Sequence, residues 1–178
     1  MGEGNAKALY SFIREAKPEV VVETGVCNGY STAHILKALE DNGSGELYSI
    51  DLLEKPGDPN PEISDVKGGA VIPPNKESGW LVPNNLENRW TFIEGNSNYE
   101  LPKLIEKLDN VDIFLHDSDH SYQTMMLEYC VAWTKLSEKG AIISDDILWN
   151  TAFSDFCDGK DTEKYILGDG LGLTFKQL

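Results

Sequence analysis

The sequence predicts an α/β domain built on a mostly parallel sheet with helices on both faces. Short apolar runs alternate along the chain with longer stretches whose apolar residues recur at helical spacing. Such alternation favours parallel strands, because each helix returns the chain to the edge where the next strand begins. Several predicted strands end in an acidic residue. Since parallel strands bring their carboxyl ends to one edge, we expect a three-layer α/β/α fold with a ligand site there.

The first predicted elements are a helix and a short strand. Residues 6–16 predict an amphipathic helix, because Leu9 and Ile13 lie on the same stripe, and Pro18 ends it. The apolar run at 20–23 then predicts the first strand.

The remaining elements follow the same alternation. A helix is predicted at about 31–40, where the glycine-rich segment that follows ends it. Ser97 and Glu100 have the spacing of a capping box and predict the start of a further helix. The other predicted elements are strands at 47–51, 90–93, 111–117 and 140–146, a helix at 121–136, and a terminal hairpin at 164–175.

Size and charge limit the function. The 178 residues predict a single domain, and the net charge of −15 argues against partners such as nucleic acid or an anionic membrane surface. No apolar run approaches a membrane span, and the first residues lack the pattern of a signal peptide, so we expect a cytoplasmic protein. The three cysteines form no Cys-x-x-Cys pair, which argues against a disulfide framework or a zinc ribbon.

One long segment interrupts the pattern. Residues 52–83 contain six of the eight prolines and are also rich in glycine and asparagine. A loop of this length inside a domain is typically a functional lid or a disordered insertion, and both interpretations stay open.

A strand-end carboxylate followed by a glycine turn is the most informative motif. Glu23 ends the first strand, Gly25 and Gly29 follow, and Ser31 opens a helix. Glycines let the backbone bend tightly and approach a ligand, and a helix N-terminus favours electronegative groups. The spacing differs from Gly-x-Gly-x-x-Gly, which argues against a nicotinamide-dependent oxidoreductase.

Polar residues follow the next two strands. Asp51 ends the second strand, where a carboxylate is well placed to accept hydrogen bonds from ribose hydroxyls. Asn96 and Ser97 follow the third strand at the same edge. They have two interpretations, a ligand contact or simple helix capping.

A second acidic group follows the fourth and fifth strands. Converging carboxylates repel one another unless they hold a hard cation, so Asp117, Asp145 and Asp146 are candidate ligands of a divalent metal such as magnesium. An ordinary acidic surface turn is the alternative. Asp119 and His120 lie beside this group as candidate general bases.

These residues resemble a known family. The segment 23–31 resembles the first motif of class I S-adenosylmethionine-dependent methyltransferases, and 49–51 resembles their second. The segments 116–122 and 140–146 resemble the metal-dependent small-molecule O-methyltransferase branch, which includes macrolide and sugar O-methyltransferases and cephalosporin-hydroxylase-like proteins. The resemblance covers about residues 18–156.

The resemblance implies a Rossmann-like doubly wound sheet of seven strands, with an antiparallel C-terminal strand from the hairpin. It implies that the cofactor is S-adenosylmethionine. The residues implied on the cofactor side are Glu23, Gly25, Gly29 and Ser31 near its methionine part, Asp51 at its ribose, Asn96 and Ser97 near its adenine, and Asp117.

The resemblance also implies the chemistry. Asp117, Asp145 and Asp146 match metal positions of relatives, and the general base there is an acid or histidine just after the first metal ligand, so Asp119 and His120 both stay open. The expected reaction is methyl transfer to an oxygen of a small hydroxylated molecule.

Several alternatives remain at this stage. One is a non-catalytic module that binds S-adenosylmethionine, and another is a metal-dependent hydrolase that uses the acidic group alone. Relatives often carry a longer N-terminal region for substrate and oligomer contacts, and this chain begins almost at the fold. The acceptor, the identity of the metal and assembly as a homo-oligomer therefore stay open.

Overall fold

Strands and helices alternate through most of the computed structural model, which describes residues 1–52, 72–73, 75–167 and 169–177. The strands are β1 (Val20–Thr24), β2 (Glu46–Asp51), β3 (Trp90–Glu94), β4 (Val111–His116), β5 (Leu136–Ser144), β6 (Tyr165–Ile166) and β7 (Gly172–Phe175). The helices are α1 (Glu3–Ala16), α2 (Tyr30–Asn42), α3 (Ser97–Lys107), α4 (Tyr122–Lys135) and α5 (Ala152–Lys160), with a short 3-10 helix at Asn84–Arg89.

All the strands of the described residues join one seven-stranded sheet in the order β3-β2-β1-β4-β5-β7-β6. β1 to β5 pair in parallel, whereas β7 is antiparallel to both β5 and β6. The expected Rossmann-like fold with an antiparallel C-terminal strand is therefore confirmed. The strand order reverses at β1, between β2 and β4, and a ligand crevice opens at such a point.

Both faces of the sheet are covered, as the alternation of side chains along each strand requires. On β1, Val21 packs into the cluster that contains Leu9 and Ile35 of α1 and α2. Its neighbour Val22 packs into the opposite cluster, with Tyr129 of α4. These helices therefore hold the parallel strands from both faces, with the carboxyl ends of the strands at one edge.

The sequence missed or misplaced some elements. Residues 152–160 form α5 and 84–89 form the 3-10 helix, and neither was predicted. The prediction that Ser97 caps α3 is wrong, because Asn96 is the N-cap and its side chain accepts a hydrogen bond from the backbone N–H of Asn98. Glu100 pairs with Lys103 instead, 2.7 Å away.

Most of the predicted insertion at 52–83 lies outside the described residues, and its role as a lid stays a prediction. Across the described ranges, every helix is too short or too polar to cross a membrane.

Candidate active site

The glycine turn after β1 is fixed by close contacts on both sides. Gly25 and Gly29 have φ angles of +87° and +86°, which side-chain-bearing residues rarely adopt. A β-carbon at Gly25 would lie 2.0 Å from the backbone oxygen of Asp117, and one at Gly29 would lie 2.7 Å from the Cα of Gly79. Gly25 therefore lets the ends of β1 and β4 approach each other, and Gly29 lets the segment around Gly79 approach the turn.

Glu23 lies behind this turn. Its side chain is fully buried and accepts hydrogen bonds from Ser31 Oγ (2.6 Å), Thr32 Oγ1 (2.8 Å) and Ser49 Oγ (2.7 Å). Burial raises the pKa of Glu23 to about 7, against the opposing effect of the three hydroxyls. Glu23 and Ser31 thus bind each other at the predicted turn, and the bonds tie β1, β2 and α2 together.

Asp51 faces the same turn from the end of β2. One carboxylate oxygen accepts the backbone N–H of Cys27 at 2.7 Å and the hydroxyl of Ser78 at 2.5 Å. Burial raises the pKa of Asp51, although these hydrogen bonds oppose that shift. The structure therefore places Asp51 beside the glycine turn, as predicted, and adds Ser78, which the sequence did not single out.

A short segment around Ser78 covers the turn. The N–H of Gly79 donates to Cys27 O (2.8 Å), and Trp80 Nε1 donates to the side-chain oxygen of Asn28 (2.7 Å). The segment thus lies against the glycine turn, next to Asp51.

The end of β3 lies on the far side of Asp51. The N–H of Gly95 donates to the backbone oxygen of Asp51 at 2.8 Å, which brings the following Asn96 and Ser97 to the same edge. Asn96 uses its side-chain oxygen as the cap of α3. Both residues therefore make contacts within the fold at this edge, Asn96 as the cap of α3 and Ser97 through a side-chain hydrogen bond to Glu128.

Two of the predicted metal ligands converge across the turn. Asp117 Oδ2 and Asp145 Oδ2 lie 3.4 Å and 3.2 Å from the amino group of Met1, and Asn5 donates to Asp145 at 3.0 Å. Burial raises the pKa of Asp117 well above its usual range, the Met1 amine opposes this shift, and Asp145 and Glu23 add to it. The pair therefore favours a positive charge between its oxygens.

The third predicted ligand is less closely associated. Asp146 has a φ of 51° and its side chain is 42% exposed. Its Oδ2 lies 3.8 Å from His120 Nε2, and Asp117 Oδ1 lies 3.9 Å from the same nitrogen. Over the described part of the chain, no three His, Cys, Asp or Glu side chains are gathered closely enough to hold a metal ion.

His120 is held at the centre of this arrangement. Its ring lies 5.2 Å from that of Trp149, and Asn150 Nδ2 donates to its backbone oxygen at 2.8 Å. Nε2 is buried and has no hydrogen-bond partner among the described residues. Burial lowers the pKa of His120, and His116 adds to this effect, against the nearby carboxylates.

Asp119, the other candidate base, stabilises the start of α4. Its carboxylate accepts hydrogen bonds from Ser121 Oγ and Thr124 Oγ1, both at 2.7 Å, and from the Ser121 N–H at 3.2 Å. Burial opposes ionisation, but these bonds outweigh it and lower the pKa of Asp119. Both of its oxygens are thus engaged in starting the helix.

Sequence reasoning missed a buried pair, Glu128 and His116. Glu128 accepts hydrogen bonds from His116 Nδ1 (2.6 Å), Thr24 Oγ1 (2.6 Å) and Ser118 Oγ (2.7 Å). Both side chains are fully buried. The signal in the sequence was an acidic residue on the inward face of α4, between Met125 and Tyr129.

Known proteins share this fold. A family model described as a methyltransferase domain matches residues 22–147. The structure is similar to an O-methyltransferase from Bacillus cereus in complex with SAH, with a TM-score of 0.69, 14% identity, and coverage of 99% of this chain and 82% of that one. It is also similar to the O-methyltransferase TomG of Streptomyces achromogenes, involved in tomaymycin synthesis and in complex with SAM, with a TM-score of 0.71, 14% identity, and coverage of 100% and 82%.

A third similar structure is the SAH-bound methyltransferase PaMTH1 of Podospora anserina, with a TM-score of 0.65, 15% identity, and coverage of 97% of this chain and 78% of that one. A comparison with curated protein sequences gives no match. At these identities the structural likeness establishes the fold.

Proposed function

This chain belongs to the methyltransferase domain family, and we propose that it transfers a methyl group from S-adenosylmethionine to an oxygen of a small hydroxylated molecule. One observation carries the proposal: Asp51 and the Asp117–His120 group flank the same glycine turn. Cys27 of the turn donates to Asp51 on one side, and Gly25 packs against Asp117 on the other. A cofactor in the crevice would thus lie between a ribose-binding carboxylate and a candidate base.

The cofactor half is supported by the chemistry of its groups. Asp51 is held at the end of β2 by the hydroxyl of Ser78 and by the backbone N–H groups of Cys27, Val26 and Leu52, so a ribose hydroxyl that binds there would take the place of one of these donors. The Bacillus and Podospora structures are SAH complexes and the Streptomyces structure is a SAM complex. Those ligands belong to proteins with the same fold, which favours the same cofactor here.

His120 is the base that the geometry favours over Asp119. In the proposed reaction, the acceptor oxygen attacks the methyl carbon, the carbon–sulfur bond breaks, and S-adenosylhomocysteine leaves. The acceptor proton goes to His120 Nε2, which is buried, faces Asp117 and Asp146, and has no competing partner among the described residues. Asp119 is less suited, because its oxygens already accept three hydrogen bonds.

The residues are compatible with the implied divalent ion. Asp117 and Asp145 bring their carboxylate oxygens together at the amino group of Met1, which a divalent ion would have to displace, and an all-oxygen set suits magnesium. We propose that these two residues hold the ion and that Asp146, whose side chain does not converge with theirs in this structure, would join them only by reorienting. When bound, a divalent ion lowers the pKa of a hydroxyl group.

The acceptor side carries apolar surface beside the base. Trp149 is 55% exposed and Leu148 is 79% exposed. Since the Trp149 ring packs against His120, an acceptor stacked on this tryptophan would lie near Nε2. This supports an acceptor that has an apolar face as well as a hydroxyl.

The first test is calorimetric binding of S-adenosylmethionine and S-adenosylhomocysteine to the full chain, with and without magnesium and with NADH as the control ligand. We expect binding of both sulfur ligands and none of NADH. Transfer of an isotopically labelled methyl group to a panel of hydroxylated acceptors then tests turnover. Absence of cofactor binding by folded protein would overturn the proposal in favour of a metal-dependent hydrolase, and binding without turnover on the whole panel would favour a non-catalytic module.

A further inference from the structure

Glu128 of α4 is a buried carboxylate that contacts two separate parts of the site. Its side chain is 0% exposed and it is satisfied by hydroxyl and imidazole donors. Burial opposes its ionisation, but His116 and the hydroxyls of Ser97 and Thr24 outweigh this effect and lower the pKa of Glu128. An ionised carboxylate in the core therefore depends on these donors staying in place.

The donors fall into two groups. Thr24 is the last residue of β1, directly before Gly25 of the turn, and Ser97 opens α3 next to Asn96. These two donors belong to the cofactor side. On the acceptor side, His116 and Ser118 lie directly before and after Asp117. Ser118 is also two residues before His120.

His116 extends the connection to the candidate base. Because an ionised carboxylate only accepts, the 2.6 Å bond requires a proton on His116 Nδ1. The His116 ring lies edge-on to that of His120, with centroids 5.2 Å apart and planes at 76°. A shift of Glu128 would thus move the ring against which His120 packs.

We propose that Glu128 is a positioning residue that couples occupancy of the cofactor turn to the orientation of the His116–His120 pair. The inference rests on the proposed function, since it requires a cofactor at the turn. Glu128 touches neither cofactor nor acceptor in this scheme. If a bound cofactor displaces Thr24 or Ser97, the Glu128 carboxylate must move to keep its hydrogen bond to that residue. His116, which donates to the same carboxylate, then moves with it.

The test follows the imidazole ¹⁵N resonances of the histidines, of which the chain has three, in ¹⁵N-histidine-labelled protein titrated with S-adenosylhomocysteine. His116 is the diagnostic residue, since it is fully buried and out of reach of a ligand. In the wild type we expect its Nδ1 to be protonated and its resonances to shift on binding. In Glu128→Gln, which keeps the shape and removes the charge, we expect at least tenfold weaker binding and loss of the His116 shift at saturation.

Leu39→Ala is the matched control. Leu39 of α2 is fully buried in the cluster on the opposite face of the sheet from Glu128 and Tyr129. This variant should lose stability and keep both the affinity and the His116 response. If Glu128→Gln fails to fold, Thr24→Val removes one buried donor and leaves the carboxylate, and the His116 response should again fall.

The outcomes separate the two proposals. Absence of ligand binding by folded wild type would overturn the proposed function and this coupling with it. Binding that leaves the His116 resonances unmoved would overturn the coupling alone. The same conclusion would follow if Glu128→Gln or Thr24→Val kept the full His116 response.

Discussion

Gly25 and Asp117 are packed so closely that a β-carbon at Gly25 would lie 2.0 Å from the Asp117 backbone oxygen. The contact joins the ends of the two central strands, where the N–H of Asp117 also donates to Thr24 O at 2.8 Å. The glycine turn and the acidic group therefore meet at this one contact.

Gly25→Ala should be strongly destabilising, because it combines a disfavoured φ with a backbone clash. We expect a loss of more than about 3 kcal/mol in the free energy of unfolding. Gly43→Ala is the control, since Gly43 has a φ of +76° but a β-carbon added there would meet nothing within 4 Å, and it should cost about 1 kcal/mol. Urea unfolding of both variants measures the difference, and equal losses would show that the contact is unimportant.

Glu23 should make stability depend on pH. Its folded-state pKa of about 7 exceeds the ordinary glutamate value of 4.5, so its favourable contribution is complete below pH 4.5 and is lost as the pH rises through 7. The loss amounts to about 3 kcal/mol for such a shift. Between pH 4.5 and 7 the free energy of unfolding should fall less steeply in Glu23→Gln than in Glu106→Gln, a control at an exposed glutamate. Identical slopes in the two variants would show that the pKa of Glu23 is not raised by folding.

Asp51→Asn should weaken the binding of S-adenosylhomocysteine. Loss of a charged acceptor costs about 1.5–3 kcal/mol, which corresponds to an affinity about 10-fold to 100-fold lower. Asp112→Asn is a matched control, because Asp112 also accepts backbone N–H groups, from Glu19 (2.8 Å) and Val20 (3.0 Å), at the opposite edge of the sheet. Calorimetry should find unchanged affinity in the control; a similar loss in both variants would point to general destabilisation.

Asp119 should have a structural role and His120 a chemical one. Asp119→Ala removes three hydrogen bonds at the start of α4 and should cost about 1–2 kcal/mol of stability. His120→Asn should keep cofactor affinity and lower turnover by about 10²-fold to 10⁴-fold on any acceptor found. Denaturant unfolding and a methyl-transfer assay distinguish the two, and an active His120→Asn variant would rule out that base.

The fold was predictable because its signals are local. The apolar run at β1 and the glycines of the hairpin before β7 identify their elements without any tertiary information. The helix α5 was missed because residues 152–160 contain two aspartates and a glycine in a weakly patterned stretch. The cap of α3 was misassigned because Asn96 and Ser97 are both good N-caps, and the choice between them depends on where β3 ends.

The positions of the site residues at the strand ends could be predicted from the sequence, but most of their side-chain contacts could not. The acids at the ends of β2 and β4 lie where a parallel sheet puts them. Ser78 could not be anticipated, because it reaches Asp51 from a distant segment with no periodic pattern. Glu128 was hidden for a similar reason: the donors that make its burial tolerable come from other elements of the fold.

The strand order also determines when this site comes into existence during synthesis. β1 pairs with β4, so Val22 meets Phe114, its partner more than ninety residues further along the chain. A nascent chain that ends before β4 has the glycine turn but neither Asp117 nor the closure at Gly25. Because a ligand stabilises only the state that binds it, S-adenosylmethionine would stabilise the folded chain only after this long loop has closed.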